Sequence, residues 1–177
     1  TEDDYDAVGA YATNHQATIA ILHIRQGRVV KQTRHFLDIS PSETLGDIIR
    51  QYIISFYGQL AYIPSLTVIP EIIEDQKAIE NWLGNVVGRK FELRSAERGE
   101  KRAMVELAIK NAEQALETAL LTTDRQFQGL IALKELLKLS FTPERIEAID
   151  ISNMGASETV GASVCYINGQ PAKSEYR

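Results

Sequence analysis

One cysteine, Cys165, is all that 177 residues contain, so the chain has no disulfide framework and no cysteine–zinc cluster, a usage that suits a reducing cytoplasm. Cys165 itself lies in an apolar, strand-like run and reads as a small buried hydrophobe. Long hydrophobic runs are missing too: none approaches the ~18 residues of a membrane span, and the acidic start Glu2-Asp3-Asp4 is unlike a signal peptide. Excess positive charge is absent. A net charge of -5 argues against a uniformly basic nucleic-acid coat, while leaving room for a local basic patch. No Gly-rich loop follows any expected strand, which removes the phosphate cradle of a small α/β ligand-binding domain. What is there is ordinary for a globular chain: 44% apolar and 24% charged, long enough for one good core, or for one domain and part of a second.

Alternating apolar residues and turn signals predict strands over 7–11 and 17–25, a turn at Gln26-Gly27 and an antiparallel partner over 28–37. Pro41-Ser42-Glu43 opens a helix, with Ser40 or Ser42 as its expected cap and Leu45, Ile48, Ile49, Tyr52, Ile53 and Phe56 as its apolar stripe. The short apolar run 66–69 between Pro64 and Pro70 reads as a buried strand. Asp75 is the expected cap of a second helix that Gly88 ends, and 90–94 alternates as a strand. A long helix is predicted from 100 to about 121, a further helical stretch over 124–139, and a strand over 146–152. A meander followed by helix and strand in alternation implies a mixed sheet with helices packed on it, because later parallel strands need crossovers. That order is the order of an RNase H-like fold.

The chain also repeats itself. Strand, short polar loop, strand, turn glycine and strand occur at the start around Gln26-Gly27 and recur at the end around Asn168-Gly169. The expected organisation is an RNase H-like domain over residues 5–122, a helical linker over 123–145, and the opening strands of a second RNase H-like domain over 146–177. Nucleases of this fold hold divalent metals with carboxylates at strand ends. In the first copy the strand around 8–10 carries no carboxylate. Asp6 lies at that strand's edge and Glu71 follows the fourth strand, positions where acids are usually solvated, so the first copy reads as a scaffold. In the second copy Asp150 stands within the apolar run Ile149-Asp150-Ile151. An ionised Asp there is expected to have a donor, an opposite charge or a metal beside it. Two roles stay open on the residues alone: a metal ligand, or an acceptor for backbone N–H groups of the turn through Ser152 to Gly155.

Several blocks carry a resemblance. Glu147-Ala148-Ile149-Asp150-Ile151-Ser152-Asn153-x-Gly155, then Val160-Gly161-Ala162-Ser163, Asn168-Gly169-x-Pro171 and Lys173-Ser174-Glu175-Tyr176-Arg177, resemble the start of the C-terminal endonuclease domain of the UvrC family, a component of the bacterial excinuclease. Upstream, Arg98-Gly99-Glu100-Lys101-Arg102, Val105-Glu106-Leu107-Ala108 and Asn111-Ala112 resemble the family's segment ahead of that domain. The resemblance implies nucleotide excision repair of damaged double-stranded DNA in the cytoplasm, with recruitment by UvrB after UvrA and UvrB locate the lesion. In the family a GIY-YIG domain makes the 3′ cut and an RNase H-like domain makes the 5′ cut with Mg2+ or Mn2+ at an aspartate-rich site. By the same resemblance Asp150 matches the first catalytic, metal-binding aspartate. Asn153 departs from the His that the family often has there, and the family's later aspartate and histidine, its GIY-YIG domain, its UvrB-contacting segment and its helix-hairpin-helix pair have no counterpart in these residues.

Arg98, Lys101 and Arg102 are the candidate DNA-backbone contacts, because cations at a helix start with free N–H groups suit phosphates. The same charges also make an ordinary solvated first turn, with Glu97 and Glu100 favourable at the positive end of the helix dipole. His15, His23 and His35 have no ligand-like spacing. Beside the nuclease stands a rival of another class, a non-catalytic RNase H-like module that docks a protein or positions DNA.

Overall fold

β-Branched and small residues alternate through the first forty positions, and the chain there forms an antiparallel meander of β1 (Tyr5–Ala12), β2 (Gln16–Arg25) and β3 (Arg28–Asp38). Gln26 and Gly27 both take positive φ, 52° and 70°, the left-handed pair that a two-residue hairpin turn requires. Then come α1 (Leu45–Ser55), β4 (Leu66–Ile69), α2 (Gln76–Val87), β5 (Glu92–Ser95) and the long α3 (Gly99–Leu136). β4 lies parallel to β1 and β5 parallel to β4, giving the sheet order β3-β2-β1-β4-β5. This is the mixed sheet of the RNase H-like class that the element order implies. A second antiparallel sheet holds β6 (Arg145–Met154), β7 (Glu158–Ile167) and β8 (Gln170–Pro171) in that order.

The structure is a computed structural model that describes residues 4–60, 62–154 and 158–177, with the side chains of 153, 154, 158 and 159 outside that description. The chain divides into two units, Thr1–Thr118 and Ala119–Arg177, the division falling inside α3. No helix among the described residues is long and apolar enough to cross a membrane.

Strand alternation gives the first unit two cores. Val8, Ala10, Ile19 and Ile21 pack with Ile48, Ile49 and Ile53 of α1 and Leu83 of α2 on one face. Ala7, Leu22, Ile24 and Val68 pack with Val105 and Ala108 of α3 on the other. Each fully buried Ile or Leu there contributes about 1.5–3 kcal/mol relative to exposure. Small residues on the second face let α3 approach closely. A Cβ on Gly9 would stand 2.2 Å from the Ile109 nitrogen and 2.4 Å from the Ala108 carbonyl carbon, so the helix backbone rests directly on the strand.

Three local expectations change. The first helix is capped by Thr44, not by Ser40 or Ser42: Thr44 Oγ1 accepts from the Asp47 N–H at 3.2 Å and the Asp47 carboxylate accepts from the Thr44 N–H at 3.0 Å. The two serine hydroxyls instead face each other at 3.1 Å ahead of it. Asp75 precedes α2, but in a left-handed conformation (φ 55°) and without a capping hydrogen bond; its carboxylate faces Arg50 at 3.9 Å. The helical stretches expected at 100–121 and 124–139 form one helix, Gly99–Leu136, in which the Thr118 and Thr123 hydroxyls donate back to the carbonyls of Gln114 and Ala119.

Candidate functional site

Asn168 and Gly169 take φ of 50° and 78°, the same left-handed pair as Gln26 and Gly27, so the two meanders turn alike. Across the first turn Arg25 faces Arg28, and across the second Ile167 faces Gln170. Counting back from there, Ala20 pairs with Gly9 and Ala162 with Asp150, while His23 pairs with Asp6 and Cys165 with Glu147. Position for position, Gly9 is the counterpart of Asp150 and Asp6 the counterpart of Glu147. The span from the first of these paired positions to the second is one residue longer in the second meander.

Asp150 is exposed, in contrast to the burial that its apolar run suggested, and Ile149 and Ile151 beside it are 69% and 67% exposed. Its sheet has only three strands, and Val160, which faces Ser152 across it, is exposed as well. Asp150 makes no hydrogen bond or ion pair with a described residue. Its alternative role, accepting N–H groups of the turn through Gly155, reaches into residues outside the described ones, as does the side chain of Asn153. An exposed carboxylate is the hard oxygen donor that Mg2+ or Mn2+ takes. The described residues nevertheless hold no group of three His, Cys, Asp or Glu side chains able to grip a metal. Among the described residues Asp150 therefore stands outside any such group.

The second unit anchors this sheet at its turn. Gln170 Nε2 donates to Gln126 Oε1 at 2.8 Å, and a Cβ on Gly169 would touch Gln126 and Leu130 of α3 at 3.3 and 3.5 Å. Arg145 bridges Glu147 at 2.7 Å and Glu175 at 3.2 Å. The end of the chain rejoins the sheet, with reciprocal backbone bonds between Ser163 and Arg177 at 2.6 and 3.1 Å.

Asp6 corrects the expectation of a solvated acid at a strand edge: it is 0% exposed, and it is saturated. Its Oδ1 accepts from Arg25 Nη1 at 2.8 Å and lies 3.1 Å from His23 Nδ1, while Oδ2 accepts from the Tyr57 hydroxyl at 2.6 Å. Tyr57 Oη in turn meets Thr67 Oγ1 at 2.8 Å, and His23 Nε2 meets Thr33 Oγ1 at 2.9 Å. Burial and the Asp6 charge push the Tyr57 phenol well above its ordinary value, which keeps it a donor. The same two causes raise Tyr52 to about 12. Glu71 is exposed and takes no part. This carboxylate is occupied by protein donors, and His23, which showed no ligand-like spacing, belongs to its network. Sequence reasoning missed the group because Arg25 and Tyr57 stand 19 and 51 residues away.

The three proposed DNA contacts at the start of α3 sit in different surroundings. Arg98 is exposed and unpaired among the described residues. Lys101 Nζ lies 5.1 Å from the centroid of the Tyr5 ring, on a cavity of about 350 Å³ that also holds Lys90 and Arg94 but equally Asp4 and Glu92. Arg102 is held by Glu106 at 2.8 Å. Acids thus offset much of this cluster.

Two family descriptions match the chain: "UvrC Ribonuclease H-like domain" over residues 4–119 and "UvrC RNAse H endonuclease domain" over residues 134–177. UvrABC system protein C of Acetivibrio thermocellus is 35% identical over 184 residues, covering 99% of this chain and 29% of the relative. The protein of the same name from Deinococcus radiodurans is 34% identical over 178 residues with the same coverage. The chain thus spans 29% of the length of these relatives. A chain from the PCNA:RNase HII complex of Archaeoglobus fulgidus aligns with a TM-score of 0.46 at 13% identity, over 76% of this chain and 87% of that one.

Proposed function

Since the chain belongs to the UvrC family, we propose that it is part of the UvrABC nuclease of nucleotide excision repair, and that its second meander contributes Asp150 to the site that incises damaged DNA on the 5′ side of the lesion. Residues 5–122 serve as a non-catalytic RNase H-like scaffold, 123–145 link, and 146–177 open the endonuclease domain. UvrB, UvrA and damaged duplex DNA are the partners. The observation that carries this reading is the register: of two equivalent strand positions, one is an exposed carboxylate and the other is a glycine covered by the backbone of α3. A position without room for a methyl group cannot bind metal, whereas an exposed Asp with no partner among the described residues is free to do so.

Asp150 would be one ligand for Mg2+ or Mn2+, with the rest supplied by residues other than those described here. Bound, such a metal activates water and stabilises the leaving oxygen of a phosphodiester. The test is a Mn2+ titration of the full-length protein and of its Asp150→Asn variant. Weakening of about tenfold or more, in line with loss of a charged ligand, is expected. Equal affinity for the two would remove Asp150 from the site. For Lys101 and Arg102, charge reversal should weaken salt-sensitive DNA binding without unfolding the protein, and unchanged binding at several salt concentrations would remove that role.

A further inference from the structure

We propose that the cleft walled by β2, β3, α1 and the segment before β4 binds single-stranded nucleic acid, with a base against its apolar floor and phosphates on its cationic rim. The charge pattern points there first. From residue 7 to residue 37 this acidic chain contains no Asp or Glu, yet it places Arg25, Arg28, Lys31 and Arg34 and all three of its histidines in that run. β2 and β3 carry its four cations together with His23 and His35, and β3 is an edge strand.

The cleft holds about 400 Å³, at the small end of ligand pockets and suited to one base with its sugar. His23, Arg25, Lys31, His35, Tyr52 and Tyr62 line it together with aliphatic side chains, and no acid does. The carboxylate beneath, Asp6, is buried and already neutralised by Arg25. Tyr62 is 52% exposed, with the guanidinium groups of Arg25 and Arg89 at 4.9 and 5.6 Å from its ring centroid. Rings and guanidinium planes beside unpaired cations are the chemistry that takes single strands: bases stack and phosphates pair, with little demand on sequence. Arg28 and Lys31 are exposed, and among the described residues neither has an acidic partner. Charges on an edge strand also guard it against pairing with other sheets. That role asks nothing of Tyr62 and gives no reason for an apolar floor between the cations.

Such binding presupposes that the chain works on DNA, as proposed above, but it needs neither Asp150 nor incision. The experiment is fluorescence anisotropy of a labelled oligothymidylate with the full 177-residue chain between about 50 and 200 mM salt. Arg28→Glu with Lys31→Glu should weaken binding about tenfold or more and reduce the salt slope by about 1.4, that is ~0.7 for each phosphate no longer neutralised. Tyr62→Ala should weaken binding a few-fold with the slope unchanged, and Lys134→Glu with Lys138→Glu, the same change of net charge elsewhere, should do less than the β3 pair. Circular dichroism checks that each variant is folded. Affinities within about twofold of the parent for the β3 pair, an equal loss from the Lys134 and Lys138 control, or displacement of the oligonucleotide by polyglutamate as readily as by unlabelled oligothymidylate would overturn the site. Unchanged Mn2+ affinity in Asp150→Asn would count against the proposed function and leave this cleft standing.

Discussion

The two meanders share a turn conformation and a strand register, and they differ in where each keeps its acid. In the first, Asp6 lies inside the unit with Arg25, His23 and Tyr57 around it, while Gly9, on the opposite face of the strand, touches the backbone of α3. In the second, Glu147 is exposed and paired with Arg145, and Asp150 stands open where Gly9 is closed. One hairpin scaffold therefore holds its acids in opposite ways: a buried carboxylate wired to donors rigidifies a core, and an exposed one has no partner among the described residues. What decides between them is the layer packed on the strand, because small residues at 7, 9, 108 and 112 admit a helix at contact distance in the first unit.

The largest effect expected from breaking this contrast is at Asp6. Asp6→Ala leaves a buried phenol and a partly buried guanidinium, 20% exposed, without their acceptor and should cost about 3–5 kcal/mol in urea unfolding. Glu147→Ala, its counterpart at an exposed pair, should stay within about 0.5 kcal/mol. Gly9→Ala comes next, at about 1–3 kcal/mol or more, since α3 must move to admit the methyl group. Asp150→Ala at the matching position should leave stability within about 0.5 kcal/mol. A Gly9→Ala variant as stable as its parent would show that the helix does not close that position.

A smaller effect sharpens the packing of the first unit. His35 lies 5.0 Å from the Tyr52 ring and 6.2 Å from the Phe56 ring, and burial lowers its pKa from 6.5. The unfolded chain then takes up the proton first, so the His35 contribution is intact above pH 6.5 and is lost as pH falls from there through the lowered folded value. The slope of unfolding free energy between pH 7 and 5 should flatten in His35→Phe, and an identical slope in the two proteins would contradict the burial of this ring.

Much of the fold was legible because its signals are local. Gln26-Gly27 and Asn168-Gly169 announce left-handed turns, and alternation around them gives strands whose repetition is visible without coordinates. Thr44-x-x-Asp47 was a readable capping box, overlooked beside the more obvious Pro41-Ser42. Burial was less legible. Asp6 looked exposed because its partners come from distant elements, and Asp150 looked buried because branched neighbours usually are. Asp150 was singled out as a candidate through its family motif and its place in the repeat, whereas the closing of Gly9 depends on α3, about a hundred residues downstream, and no local pattern reports that contact.

The central claim is that, of two equivalent positions, only Asp150 carries chemistry. The most direct measurement is strand-resolved incision of a damaged duplex by the full-length Asp150→Asn protein together with UvrA and UvrB. The 5′ nick should fall by more than about a hundredfold, equivalent to ~2.7 kcal/mol of barrier, while the 3′ nick persists; a 5′ nick at the parent rate would contradict the assignment.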